Sequence, residues 1–219
     1  MRNGKDKGFI KLLILFVLYY LINRFFPGIT SSKVFNVMIK DTVFMILAIL
    51  VYIKELGLDY RRFRKSDRKF IFVLWAIGIY AVMYGIIFLS HKYFKSLPGP
   101  MAGLYNKSNL SSLFGISWYY AFFRTIIYTS VAELILFSLS IRKIITNDIL
   151  FVVLSAALFA FFGYIFSGFH NINFVYVIFI NFIPMVLYNI SYIKNNNLVS
   201  VMFINFLCNL VPFILYLVR

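Results

Sequence analysis

Seven apolar runs alternate with short polar segments along the chain, at about residues 9–26, 34–54, 70–91, 117–141, 149–169, 172–193 and 198–218. Each is close to the about 20 helical residues needed to cross a hydrocarbon core of about 30 Å. The pattern predicts an all-α polytopic transmembrane helix bundle of about seven spans. It divides into residues 1–116, three spans with a basic cytoplasmic loop, and residues 117–219, a core of four spans.

Composition strengthens this reading. Of 219 residues, 62% are hydrophobic, 21% aromatic and only 13% charged, against about 25% charge in an ordinary soluble domain. No stretch is left for a sizeable soluble domain. The first run follows Arg2, Lys5 and Lys7 as a signal peptide would, but Asn23, Arg24 and Pro27 follow it where small residues would mark a cleavage site. It reads as a retained helix.

The formal charge of +15 is explained by topology rather than by nucleic acid. The 22 Lys and Arg residues lie mostly between the apolar runs, whereas a nucleic-acid platform needs a basic face with interleaved aromatics on a folded surface. Short loops rich in Lys and Arg stay cytoplasmic. Lys54, Arg61, Arg62, Arg64, Lys65, Arg68 and Lys69 crowd one loop, which puts that loop and the N-terminus inside. The loop reads as an anchor on anionic lipid, with a partner-binding role as its alternative. Abundant Ile, Phe, Tyr, Asn and Lys suggest an AT-rich bacterial genome, hence a bacterial cytoplasmic membrane. Cys208, the single cysteine, rules out an internal disulfide and reads as a small buried apolar residue. The stretch from Lys92 to Ile116, with its Pro and Gly dipeptides, reads as a connector or as a lid over an intramembrane cavity.

Only two of the seven acids, Asp41 and Glu133, fall within apolar runs. A carboxylate at that depth normally pairs, protonates or serves a mechanism. Asp41 adjoins Lys40, so a local ion pair or a span that begins later accounts for it. Glu133 stands nine residues from Arg142, about 13 Å at 1.5 Å per residue, too deep for a short acid to snorkel. Arg124, the nearest base on the same run, is also nine residues away, and the partner of Glu133 is expected from another helix. Asn205 and Asn209 are spaced i, i+4 and share a face. Asn205 lies about 12 Å above the inner loop, at the depth of Glu133. The asparagines read either as interhelical hydrogen-bond glue or as part of a polar site.

From about Ser117 to the C-terminus these residues resemble the CAAX prenyl protease and bacteriocin-processing family (CPBP, also called Abi) of intramembrane endopeptidases. The family pattern runs EExxxR on one span, FxxxH on the next, and a late H with N four residues on. Here AELILFSL, Ala132 to Leu139, keeps the first Glu as Glu133, while Leu134 replaces the second Glu and Ser138 the Arg. In the last motif Asn205 replaces the His and Asn209 keeps the Asn. The middle motif fits in two ways. FSGFH ends literally on His170, whereas LSAALFAFFG puts Gly163 at the His position. Gly163 is about 22 Å and His170 about 33 Å along the helix from Asp148, so a straight helix carries His170 to the opposite surface. A bend at Gly163 and Gly168 would shorten that distance, and the seven-residue offset keeps both positions on one face.

The resemblance implies a CPBP-like four-helix core over residues 117–219 in which Glu133 activates a water, with His170, Asn205 and Asn209 positioning it or holding the oxyanion. Glu133 with at most one His is too few strong ligands for a catalytic zinc. No cofactor is expected, and a metal is left open. The expected partners are membrane lipids and a peptide or membrane-protein substrate or partner, with no nucleic acid. The expected function is a divergent intramembrane endopeptidase that processes, or protects against, a membrane-associated peptide or bacteriocin. One alternative is a catalytically inactive relative acting as a membrane scaffold or immunity factor, with Glu133 and the asparagines holding the bundle together. Another is a small transporter subunit, which calls for a continuous polar lining, although spans one, three and six carry almost no charge.

Overall fold

The computed structural model describes residues 2–25, 31–67, 69–93, 117–166 and 174–218. Among them every regular element is helical: α1 Arg2–Phe25, α2 Lys33–Val51, α3 Ile53–Arg64, α4 Lys69–Tyr93, α5 Trp118–Ile144, α6 Asp148–Phe166, α7 Phe174–Asn195 and α8 Leu198–Leu217. Two stretches, Val34–Val51 in α2 and the whole of α5, are long and apolar enough to cross a membrane. Taken as one span bent by 106°, α3 and α4 make a third. The described apolar stretches Asp148–Phe162 and Leu198–Ile214 are shorter. The structure therefore establishes an all-helical fold with two or three such spans.

Polar residues between the apolar runs set where helices start. The side chains of Ser32, Ser117, Asn147 and Asn197 accept hydrogen bonds from the N–H groups of Phe35, Tyr120, Leu150 and Ser200. Each satisfies an amide that a helix N-terminus leaves open. The triplet Asn195, Asn196 and Asn197 makes the α7–α8 turn in three steps. Asn195 bonds back to Ser191, Asn196 adopts a left-handed φ of 44°, which asparagine tolerates better than most residues, and Asn197 caps α8.

The basic segment expected to be a loop is instead largely helical. Its apolar and charged residues follow a helical period, so α3 turns Asp59 into the bundle while Arg61, Arg62 and Arg64 stay exposed. Such a helix needs no apolar run, only one face that packs.

Helix α5 is the middle of the bundle. Every residue from Leu134 to Ile141 is buried, covered by α1, α2, α6 and α8. Core residues come from both halves of the chain, with Leu15, Phe44 and Ala76 in the same cluster as Tyr188 and Ile204. Against lipid the apolar surfaces gain little by association, so close packing and interhelical hydrogen bonds must hold such helices together.

The winding of α5 is unusual. Phe123–Glu133 and Ile135–Leu139 form π-helix, flanked by α-helical Trp118–Phe122 and Ser140–Ile144. The hydroxyls of Thr125 and Thr129 donate to the carbonyls of Ala121 and Thr125. Those carbonyls are the acceptors an α-helix reserves for its own N–H groups, and the competition favours the wider i→i+5 pattern.

Candidate functional site

Helix winding decides which charged groups meet. Nine residues make two and a half turns of an α-helix and put their ends on opposite faces. The π pattern adds nearly one residue to each turn, so nine residues make about two turns and share a face. Arg124 Nη2 accordingly lies 3.7 Å from Glu133 Oε1. Its Nη1 donates to Asp41 Oδ2 on α2 at 3.3 Å, and the guanidinium lies 4.1 Å from the centre of the Tyr128 ring. The described partner of Glu133 thus comes from its own helix, where a different helix was expected. Asp41 is engaged across the bundle by Arg124, which the local-pair reading did not include.

One guanidinium between two carboxylates leaves this cluster with a net charge of about −1 if all three are ionised. It is not sealed: the side chains of Arg124, Asp41 and Glu133 are 32%, 15% and 22% exposed. Chemically the cluster offers acceptor oxygens and one fixed cation between α2 and α5.

The two asparagines come to α5 one helical turn away. Asn209 Nδ2 donates to Asn205 Oδ1 at 2.7 Å and to Thr129 Oγ1 at 3.3 Å, and Asn205 Nδ2 donates to the Thr129 carbonyl at 3.4 Å. Two of these bonds end on Thr129, four residues before Glu133, the third joins the asparagines, and none is made to Glu133 itself. Donors that hold an oxyanion must instead aim at the place where it develops.

The remaining motif positions are filled for packing. Leu134 lies in the apolar core. Ser138 is fully buried and donates to Asn189 Oδ1 at 2.8 Å, Asn189 Nδ2 donates to Ser155 Oγ at 2.8 Å, and Ser155 donates to the Phe137 carbonyl at 2.6 Å. This chain ties α5, α6 and α7 with each side chain bonded. Asn189 and Ser155 escaped the sequence reading, although an amide inside an apolar run signals a partner on another helix.

His170 and the segment 94–116 lie outside the described residues, and Gly163 falls within α6. Among the described residues no group of three or more His, Cys, Asp or Glu side chains is placed to hold a metal ion.

A second polar region gathers several helix ends. Lys11 on α1 bonds Glu55 on α3 at 2.6 Å and lies 4.6 Å from the centre of the Tyr52 ring. Asp59 Oδ2 accepts from the Leu198 N–H, and its carbonyl accepts from Asn197 Nδ2, both at 2.9 Å. Gly8 packs so closely on Lys143 that an added Cβ would stand 2.9 Å from the Lys143 Cβ. Burial pushes the Glu55 carboxyl up, but the Lys11 hydrogen bond and the charges of Lys11 and Lys143 outweigh it and leave the group below its ordinary value. At Asp59 burial wins over the Leu198 N–H and Arg62, and the carboxyl ends above its ordinary value.

Compared with known proteins, the chain matches no family model, no curated protein and no solved structure.

Proposed function

We propose that the chain is a catalytically inactive relative of the CPBP endopeptidases, a seven-span protein of a bacterial cytoplasmic membrane that binds a membrane-associated peptide or membrane protein as a scaffold or immunity factor. The observation that carries this reading is the direction of the Asn205 and Asn209 amides, which bond Thr129 and each other. Hydrolysis requires a base beside a positioned water, and donors facing the developing charge. Here Arg124 pairs with Glu133, and Ser138 bonds Asn189 inside the core. Seven apolar runs of membrane length support the seven spans. The meeting of Lys11, Glu55, Asp59 and Lys143 at one end groups the N-terminus with the basic helix α3, and a face rich in Lys and Arg stays cytoplasmic.

A second reading, Glu133-dependent peptidase activity, is favoured by one feature. The described ion pair of Glu133 is 3.7 Å long, longer than a hydrogen bond, which leaves its lone pairs open to a water.

The test is to reconstitute the protein in vesicles with prenylated CAAX peptides and with leader-bearing bacteriocin precursors. Cleavage is read by mass spectrometry and binding by co-purification. The expected result is binding without cleavage, the same for the wild type and for Glu133→Gln. Cleavage by the wild type that disappears in Glu133→Gln overturns the proposal in favour of the peptidase.

A further inference from the structure

An apolar groove of about 380 Å³ runs along α4 and α7, lined by Ile71, Leu74, Trp75, Gly78, Val82 and Leu187 among others. It is independent of the charged cluster on α5. Its shape follows from Gly78, where an added Cβ would meet nothing within 4 Å, so the wall is missing one side chain in a row of large ones. From Ile71 to Val82 the groove extends eleven residues along α4, about 16 Å, which is about half of a 30 Å hydrocarbon core and so about one leaflet deep.

The end of the groove nearest the start of α4 is marked by charge. Lys194, exposed on the last turn of α7, lies 5.2 Å from the centre of the Trp75 ring. A lysine over an indole face is held by the ring quadrupole, so this ammonium stands beside the groove at Trp75, about one turn from its Ile71 end. Lys69 opens α4 at the same end, following the exposed Arg61, Arg62, Arg64 and Lys65. Tryptophan and lysine together are the pair that favours the level of lipid headgroups, and a basic cluster there attracts anionic lipid. Apolar walls about one leaflet deep, with a cation beside Trp75 near their basic end, match a single-chain slot beneath an anionic headgroup.

We propose that this groove binds an anionic phospholipid of the leaflet on the basic side, one acyl chain lying over Gly78 and the phosphate beside Lys194. The site selects among lipids by headgroup charge, whereas general lipid contact along an apolar helix does not.

Trp75 reports its own occupant. The sequence has two tryptophans, Trp75 and Trp118, so Trp118→Phe leaves Trp75 as the sole emitter. The protein is reconstituted in phosphatidylcholine vesicles doped with brominated-chain phosphatidylglycerol or with brominated phosphatidylcholine. Half-maximal quenching is expected at about five-fold lower mole fraction of the anionic lipid. Lys194→Gln should remove that preference, and Gly78→Leu, which fills the slot, should weaken quenching by both lipids. Equal curves for the two lipids overturn the proposal, as does a preference that survives Lys194→Gln. No quenching by either lipid also overturns it, showing that a protein helix fills the groove. If the Trp118→Phe protein does not fold, native mass spectrometry of the wild type and Lys194→Gln decides: retained anionic lipid must fall in the variant.

Discussion

Arg124 and Glu133 stand nine residues apart on α5 and form an ion pair, and the same guanidinium also bonds Asp41. Arg124 is therefore the group both carboxylates share. Arg124→Gln leaves two acids without their cation and is expected to lower stability by about 2 kcal/mol. Glu133→Gln keeps the Arg124–Asp41 pair and should cost under about 1 kcal/mol. Thermal unfolding of both variants in detergent micelles checks the order, and equal losses would mean the shared-cation arrangement is wrong.

An arginine at position 138 should harm the protein rather than help it. Ser138 is fully buried and its described partner is Asn189, so Ser138→Arg places a cation where no carboxylate is described beside it. We expect a loss of more than about 3 kcal/mol or no folded protein. Asn189→Ala, which strips one acceptor and one donor from the same chain, should cost about 1–3 kcal/mol. Both are read by unfolding in micelles.

Acid should weaken the contact between α1 and α3. The Glu55 carboxyl sits below its ordinary 4.5 in the folded protein, so the unfolded chain takes up the proton more readily. The stability it adds is complete above the unfolded value and is lost as pH falls through the folded one. The wild type should lose melting temperature below about pH 5, and the Glu55→Gln protein should lose less over that range. Lys11→Met removes the hydrogen bond and a nearby charge, which moves the folded-state value of Glu55 upward. The acid-dependent loss should then be smaller than in the wild type, which a melting-temperature titration of the three proteins would register. Asp59, held above its ordinary value chiefly by burial, contributes a slope opposite to that of Glu55 in the wild type.

Gly8 permits a close approach and nothing larger. An alanine methyl would meet the Lys143 Cβ at 2.9 Å and its backbone carbonyl at 3.2 Å, so Gly8→Ala must push α1 away from the end of α5. The expected cost is about 1–3 kcal/mol, as for other overpacked contacts. An unchanged or raised melting temperature would show that α1 can move freely.

The helices that hold the bundle were legible because apolar composition is a local property. The runs at about 34–54 and 117–141 reappear as α2 and α5 with ends shifted by a few residues. α3 was hidden because its helical signal is a period of charges rather than an apolar run. The pairing of Glu133 was misread for a different reason. Arg124 was set aside because it stands nine residues away, and nothing in FRTIIYTSVAE declares a π winding except two threonines whose hydroxyls compete for carbonyls. The side-by-side placement of Asn205 and Asn209 was legible from i, i+4 spacing, while their shared acceptor on Thr129 required the fold.

Pitch and charge in α5 form a single constraint. Tightening the segment to an ordinary helix would swing the Glu133 carboxylate half a revolution from Arg124 and unthread the asparagines from Thr129 in the same stroke. The ion pair thus works as a pawl on the thread of a screw, and rewinding the central helix parts Glu133 from its described cation.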